Sequence, residues 1–265
     1  MLISLKLLLV PAFLLLLSLA GKHFGPSIAG WLAGLPVVAG PIFFVLAFEN
    51  GSSFAISAAA ASTAAVFASV SFSIIYARVS QHTAWPRALA AALFAWILAA
   101  SVLTLLPPEP LLSLTIAMCT LLIAPAAFPA SVPDAPARRI SPGELVLRMT
   151  AGASLTVAVS WLASALGSTW SGLLAVFPVL GIVLAVSSHR TEGAAFTSTL
   201  LRAMATGLYS FTAFCSALTY TLQVVAVPAA FAISAALSVA VHAATRSRLN
   251  PRSTGPTTIG RKIPR

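Results

Sequence analysis

Apolar stretches long enough to cross a bilayer recur along this chain with only short polar breaks between them. No other feature constrains the fold as tightly. Nine stretches can be drawn, over 2–20, 26–47, 53–76, 87–106, 110–129, 144–166, 168–188, 194–218 and 223–244. About 20 apolar residues in helical form match the hydrocarbon thickness of a membrane. In that solvent each backbone N–H and C=O must be satisfied inside the protein, so such runs are read as helices. The breaks carry turn chemistry: 21–25, Glu49-Asn50-Gly51, Pro107-Pro108-Glu109-Pro110, the stretch 133–142 and Thr191-Glu192-Gly193. Only 8% of the residues are charged, against roughly 25% in a soluble domain. That excludes a soluble enzyme, a secreted disulfide scaffold and a free nucleic-acid-binding domain. The expected fold is an all-α membrane protein of about nine transmembrane helices.

The net charge is +10, and the placement of the basic residues sets the orientation. With the N-terminus outside and nine spans, 14 of the 15 Lys and Arg residues fall on the inner side, Lys6 being the exception. The opposite loops, around Glu49, Glu109, Gly167 and Gln223, contain no Lys or Arg. Basic residues are retained on the cytoplasmic side of a membrane, so the N-terminus is expected outside and the C-terminus in the cytoplasm. A cleaved signal peptide, with Lys6 ahead of it and Ser18-Leu19-Ala20 as its cleavage site, would carry Arg78, Arg87, Arg138 and Arg139 outside. The first span is therefore kept as a helix.

The chain also repeats itself at a constant offset of 142 residues. Leu5-Lys6 matches Leu147-Arg148. Gly25, Gly30, Leu32, Ala33, Pro36 and Val37 match Gly167, Gly172, Leu174, Ala175, Pro178 and Val179; Gly51, Phe54, Phe72 and Pro86 match Gly193, Phe196, Phe214 and Pro228. Over 25–37, six of 13 positions are identical, where about one is expected by chance in so skewed a composition. The expected organisation is a first repeat at 1–106 (spans 1–4), a linking fifth span with its inner loop at 107–142, a second repeat at 143–248 (spans 6–9), and a basic disordered cytoplasmic tail at 249–265. Five spans separate the starts of the two halves, so equivalent helices cross in opposite directions. Two inverted four-helix repeats joined by a fifth linking helix are characteristic of secondary transporters.

Gly/Pro interruptions at equivalent places in two halves point to a transporter's midplane site. Here they are Gly34, Pro36 and Gly40 in span 2, and Pro178 and Gly181 in span 7. Proline removes a backbone donor and displaces the carbonyl four residues earlier, leaving an acceptor that needs a partner. The competing reading makes both prolines packing kinks, with Gly25/Gly30 and Gly167/Gly172 letting helices approach closely. Arg202 lies about two turns into span 8 and either snorkels to the inner interface or marks an anion path. Glu144 and Arg148, four residues apart, are expected to pair.

No Asp or Glu stands near the middle of any span, which turns the substrate away from metal cations. His23, His82, His189 and His242 form no ligand set and are read as interfacial residues. Trp31, Trp85, Trp161 and Trp170 are placed in aromatic belts, and Trp96, which lies deeper, is read as packing. Cys119 and Cys215, both inside apolar runs, are read as small hydrophobes. There is no phosphate-binding Gly loop, HExxH, CxxC or GxSxG, so no enzyme activity, cofactor or metal is expected.

The stretches Ala29–Val37 and Ser171–Val179 resemble the Gly-Leu-x-x-x-x-Pro helix motif of GlpM-like bacterial inner-membrane proteins, over about two helices. The resemblance implies a multi-pass protein of the bacterial inner membrane. The expected function is a secondary transporter or permease for a small neutral or anionic solute, acting at the proline-broken spans 2 and 7. The alternative is a non-transporting membrane component, such as an accessory subunit of an envelope or polysaccharide export system. Expected partners are the lipid bilayer and a small-molecule solute, with no nucleic acid; a homo-oligomer is compatible with the sequence.

Overall fold

The computed structural model describes residues 2–107, 109–130, 141–165 and 177–246. Among them the chain forms nine helices: α1 (Leu2–Ala33), α2 (Ala39–Asn50), α3 (Ser52–Val79), α4 (Trp85–Leu103), α5 (Pro110–Ala127), α6 (Pro142–Ala165), α7 (Val179–Thr191), α8 (Ala194–Thr221) and α9 (Val227–Thr245). Helix α3 consists of Ser52–Ala64 and Val66–Val79, joined through Ala65. Six helices (α1, α3, α4, α5, α6 and α9) are long and apolar enough to cross a membrane. Large apolar side chains such as Phe94, Leu105, Ile123 and Val224 are exposed, as a surface facing lipid requires. The second-repeat glycines Gly167 and Gly172, the belt residue Trp170 and the C-terminal tail lie outside the described residues.

Helix α1 is two arms. At Gly25 the backbone takes φ 83°, ψ 176°, a region open essentially to glycine alone, and the chain doubles back. A Cβ at Gly21 would lie 3.4 Å from that of Ala29, although a straight helix would put these residues about 12 Å apart. The first arm is span 1. Val10, Phe13, Leu14 and Leu17 bury it in the main core, so it is an integral helix of the bundle. The second arm, 26–33, begins span 2.

The same device recurs at Gly51 (φ 83°, ψ 165°), between α2 and α3, and at Gly193 (φ 90°, ψ 177°), between α7 and α8. These two glycines are 142 residues apart. The boundaries of the helices that follow keep the same interval, α3 with α8 and α4 with α9, at both ends. Helices α4 and α9 start alike, from an extended Ala84 and an extended Ala226 with proline in the first turn. There the ring's fixed φ suits the helix and its missing donor costs nothing.

The three remaining helices differ from the uniform spans drawn from sequence. Helices α2 and α7 have 12 and 13 residues, about 18–20 Å of helix, too short to cross by themselves; the part of span 7 before residue 177 lies outside the described residues. Helix α8 has 28 residues but is less apolar than the six because it is rich in Ser and Thr. It tolerates them because protein surrounds it: α1, α3, α5, α7 and α9 all pack on it. Thr197, Ser210, Thr212 and Thr219 on α8 are fully buried. Hydropathy treats span 8 as one among nine; packing makes it the axis of the bundle.

The contacts also fix relative directions. Arg148 Nη1 of α6 donates to Ser18 Oγ of α1 at 3.4 Å, and Leu14 packs where a Cβ on Gly152 would sit. One number falls as the other rises, so α1 and α6 run antiparallel. Arg148 also bonds Glu144 at 3.4 Å, the expected i, i+4 pair. Trp31 is not in an aromatic belt. It is buried, stacked 3.7 Å from His242, and its Nε1–H donates to Thr245 Oγ1 at 3.0 Å. His242 is therefore an interior residue, because the second arm of α1 covers it. Trp96 packs edge-on to Phe177 at 5.0 Å.

Candidate functional site

Span 2 is broken where the sequence places its glycine and proline. Helix α1 ends on two tight bonds, Gly34 N–H to Trp31 O and Leu35 N–H to Leu32 O, both 3.1 Å. Leu32 O is the carbonyl that the Pro36 ring displaces, so Leu35 satisfies it locally with an i→i+3 bond. Helix α2 then starts from Pro36, whose carbonyl accepts from Gly40 N–H at 2.8 Å. In the other half, Pro178 precedes α7 and its carbonyl accepts from Ile182 N–H at 2.9 Å. The two bonds are equivalent under the 142-residue offset. In each half the proline carbonyl closes the turn that leads into the helix, whose start is the positive end of a dipole; at α7, Val179 N–H is itself bonded to Phe177 O at 2.8 Å.

The break in span 2 and the start of α7 lie beside the middle of α8. Gly34 packs directly on the backbone of Gly207, and Gly181 lies beside Met204, whose Cε would be 3.5 Å from a Cβ there. From that level α2 and α7 run to opposite ends. Helix α2 joins the cluster of Phe214, Leu218 and Leu222 at the far end of α8, while α7 runs to Gly193, where α8 begins. Each half-helix start is covered by a buried phenylalanine. A Cβ at Gly40 would stand 3.6 Å from Phe214 Cζ, and one at Gly181 would stand 3.8 Å from Phe72 Cε1. Phe72 and Phe214 are themselves repeat equivalents, each lying against the half-helix of the other repeat. Pattern reading matched the two phenylalanines but gave them no role, because only the tertiary fold brings them to the breaks.

The six candidates therefore separate by role. Pro36 and Gly40 start α2, and Pro178 and Gly181 start α7. Gly34 is a close-packing residue: a Cβ there would overlap the Gly207 backbone, just as one at Gly30 would overlap Leu200 O. Arg202 stands elsewhere. Its guanidinium donates to Pro125 O at 2.9 Å and Pro129 O at 3.2 Å, at the C-terminal end of α5. Arg78 of α3 reaches the same end, Nε to Ala127 O at 2.7 Å. A cation at a helix C-terminus satisfies orphan carbonyls and meets the negative end of the dipole. Replacing either arginine by alanine should cost about 1.5–3 kcal/mol, read as a lower unfolding temperature in micelles and faster proteolysis after Phe128. An unchanged rate would deny the two arginines this anchoring role.

Among the described residues, no three His, Cys, Asp or Glu side chains gather closely enough to hold a metal ion. Comparison with protein-family models, with curated proteins and with solved structures returned no match.

Proposed function

We propose that this protein is a secondary transporter of the bacterial inner membrane for a small neutral or anionic solute. The solute binds between the starts of α2 and α7, at Pro36, Gly40, Pro178 and Gly181. The observation that carries the reading is the pair of half-helices. Each follows one of the repeat-equivalent prolines, the chain leading into α2 packs on Gly207 and the start of α7 lies beside Met204 in the middle of α8, and the two helices leave in opposite directions. Two helix N-termini at mid-depth attract negative charge or a carbonyl dipole. The absence of Asp and Glu from the middles of the spans fits such a solute better than a metal cation.

The inverted relation of the halves is supported by the antiparallel packing of α1 on α6 and by the crossed placement of Phe214 against the start of α2 and Phe72 against the start of α7. A two-fold axis in the membrane plane relates such pairs, and rocking one half against the other then exposes the site to each face in turn. An accessory subunit needs no such symmetry.

Labelling from outside intact cells tests the reading. Single cysteines at Glu49 and Thr191 are repeat equivalents, as are those at His82 and Val224. In a chain with Cys119 and Cys215 replaced, an impermeant maleimide should label Glu49→Cys and Val224→Cys. Thr191→Cys and His82→Cys should react only after permeabilisation. If the members of each pair label from the same face, the halves are not inverted and the transporter reading fails.

A further inference from the structure

Away from the half-helix breaks, α8 faces α5 across a cleft of about 220 Å³. Arg202, Thr206 and Tyr209 line it from α8, Leu121 and Pro125 from α5, and Phe128 from just past the end of α5. Thr212 and Ser216 lie three and seven residues beyond Tyr209, so helical periodicity continues the same face toward the opposite end of the bundle. The hydroxyls of both are buried and have no hydrogen-bond partner among the described residues. Thr212 as a whole is 2% exposed.

Among the described residues Ser188 Oγ of α7 is likewise buried without a partner, but most buried hydroxyls are bonded. The buried hydroxyls of Thr63, Thr156, Thr197 and Thr219 all turn back to the carbonyl four residues earlier, the usual way to satisfy a hydroxyl within a helix. Leaving a hydroxyl unbonded in an apolar interior costs free energy. Two of them on one stripe, directly beyond a cleft, mark a place built to hydrogen-bond something that passes through or stays.

The charge at the mouth narrows what that is. Arg202 lines the cleft and Arg78 caps the same end of α5, while neither α5 nor α8 contains an Asp or Glu. We propose that the α5–α8 cleft is the vestibule of a path for small anions, which enters at Arg202 and reaches the hydroxyls of Thr212 and Ser216. This path rests on the reading of the chain as a membrane transporter and extends it, placing solute access along α8 rather than only at the proline breaks.

Thiol accessibility tests the path without knowledge of the natural solute. Thr212→Cys and Ser216→Cys would each be made in the chain lacking Cys119 and Cys215. Leu218→Cys serves as the control, since Leu218 is fully buried in an apolar cluster of the same helix. Inverted membrane vesicles would be treated with the anionic sulfonatoethyl methanethiosulfonate and, separately, with its cationic trimethylammonium analogue. Both path cysteines should react, the anionic reagent at least about tenfold faster, and Leu218→Cys should stay inert. Arg202→Gln should bring the two rates together.

No reaction at either path position, from either face of the membrane, would show dry packing and overturn the proposal. Equal rates for the two reagents with Arg202 present would overturn its anion selectivity. Reaction only from the opposite face, in right-side-out vesicles, would instead contradict the orientation derived from the basic residues, a failure distinct from the other two.

Discussion

Gly34→Ala is expected to destabilise the protein strongly, as is Gly30→Ala, whose Cβ would overlap Leu200 O. The carbon added at Gly34 would overlap the backbone of Gly207, and backbone cannot swing aside as a side chain can. Overpacking of this kind costs about 3 kcal/mol. In a chain of this size that is roughly 6–12 °C in unfolding temperature, measured in detergent micelles by scanning fluorimetry. Gly207→Ala should cost a similar amount, because its Cβ meets Trp31 O and Gly34. The double variant should cost less than the sum, since both carbons invade one contact. Gly40→Ala separates packing from binding. Its Cβ would make an ordinary 3.6 Å contact with Phe214, so stability should be nearly unchanged. If Gly34→Ala were as stable as Gly40→Ala, the close crossing of α1 and α8 would not be a strong constraint on the bundle.

Gly51→Ala and Gly193→Ala should destabilise by equal amounts and for a single reason. Nothing lies within 4 Å of a Cβ at either position, so no contact is disturbed and the cost is conformational. Both glycines hold φ near +85° with ψ close to 180°. An L-residue forced there costs about 1–3 kcal/mol. The two effects should add, since the turns lie in different halves of the chain. Gly143→Ala, at a glycine with ordinary backbone torsions and open surroundings, is the control and should be neutral or slightly stabilising. Chemical denaturation in mixed micelles, with helicity as the readout, measures all three. A large cost at one turn and none at the other would break the equivalence of the half-helix hairpins.

Much of the architecture was legible because a bilayer simplifies the physics. Apolar length alone marks six of the helices, and the glycines and prolines mark where the chain turns. The 142-residue interval, seen first as identities at Gly, Pro and Phe, returned as equal helix boundaries in α3 with α8 and α4 with α9. Less legible were residues whose role depends on what lies opposite. Gly34 and Gly40 are six residues apart in one motif, yet one meets backbone and the other the edge of a ring. Arg202 was open between snorkelling and an anion path; it caps a helix and lines a cleft, because α5 returns to the same end of α8. Trp31 and His242 looked interfacial one at a time and are stacked together inside.

By itself the sequence determined the solvent this chain is built for, the approximate positions of its helices, the break in span 2, and the 142-residue interval at which Gly, Pro and Phe recur. Those follow from local chemistry: apolar length, turn-forming residues and torsions that only glycine accepts. Tertiary structure decided that α8, the least apolar of the long helices, stands at the centre, since neighbouring helices and not lipid meet its hydroxyls. It also decided that the end of α1 packs on Gly207 and the start of α7 lies beside Met204, both in the middle of α8, and that Phe214 and Phe72 lie crosswise against the starts of α2 and α7. Such pairings join residues far apart in the chain, and no local pattern encodes which distant backbone will lie against a given glycine.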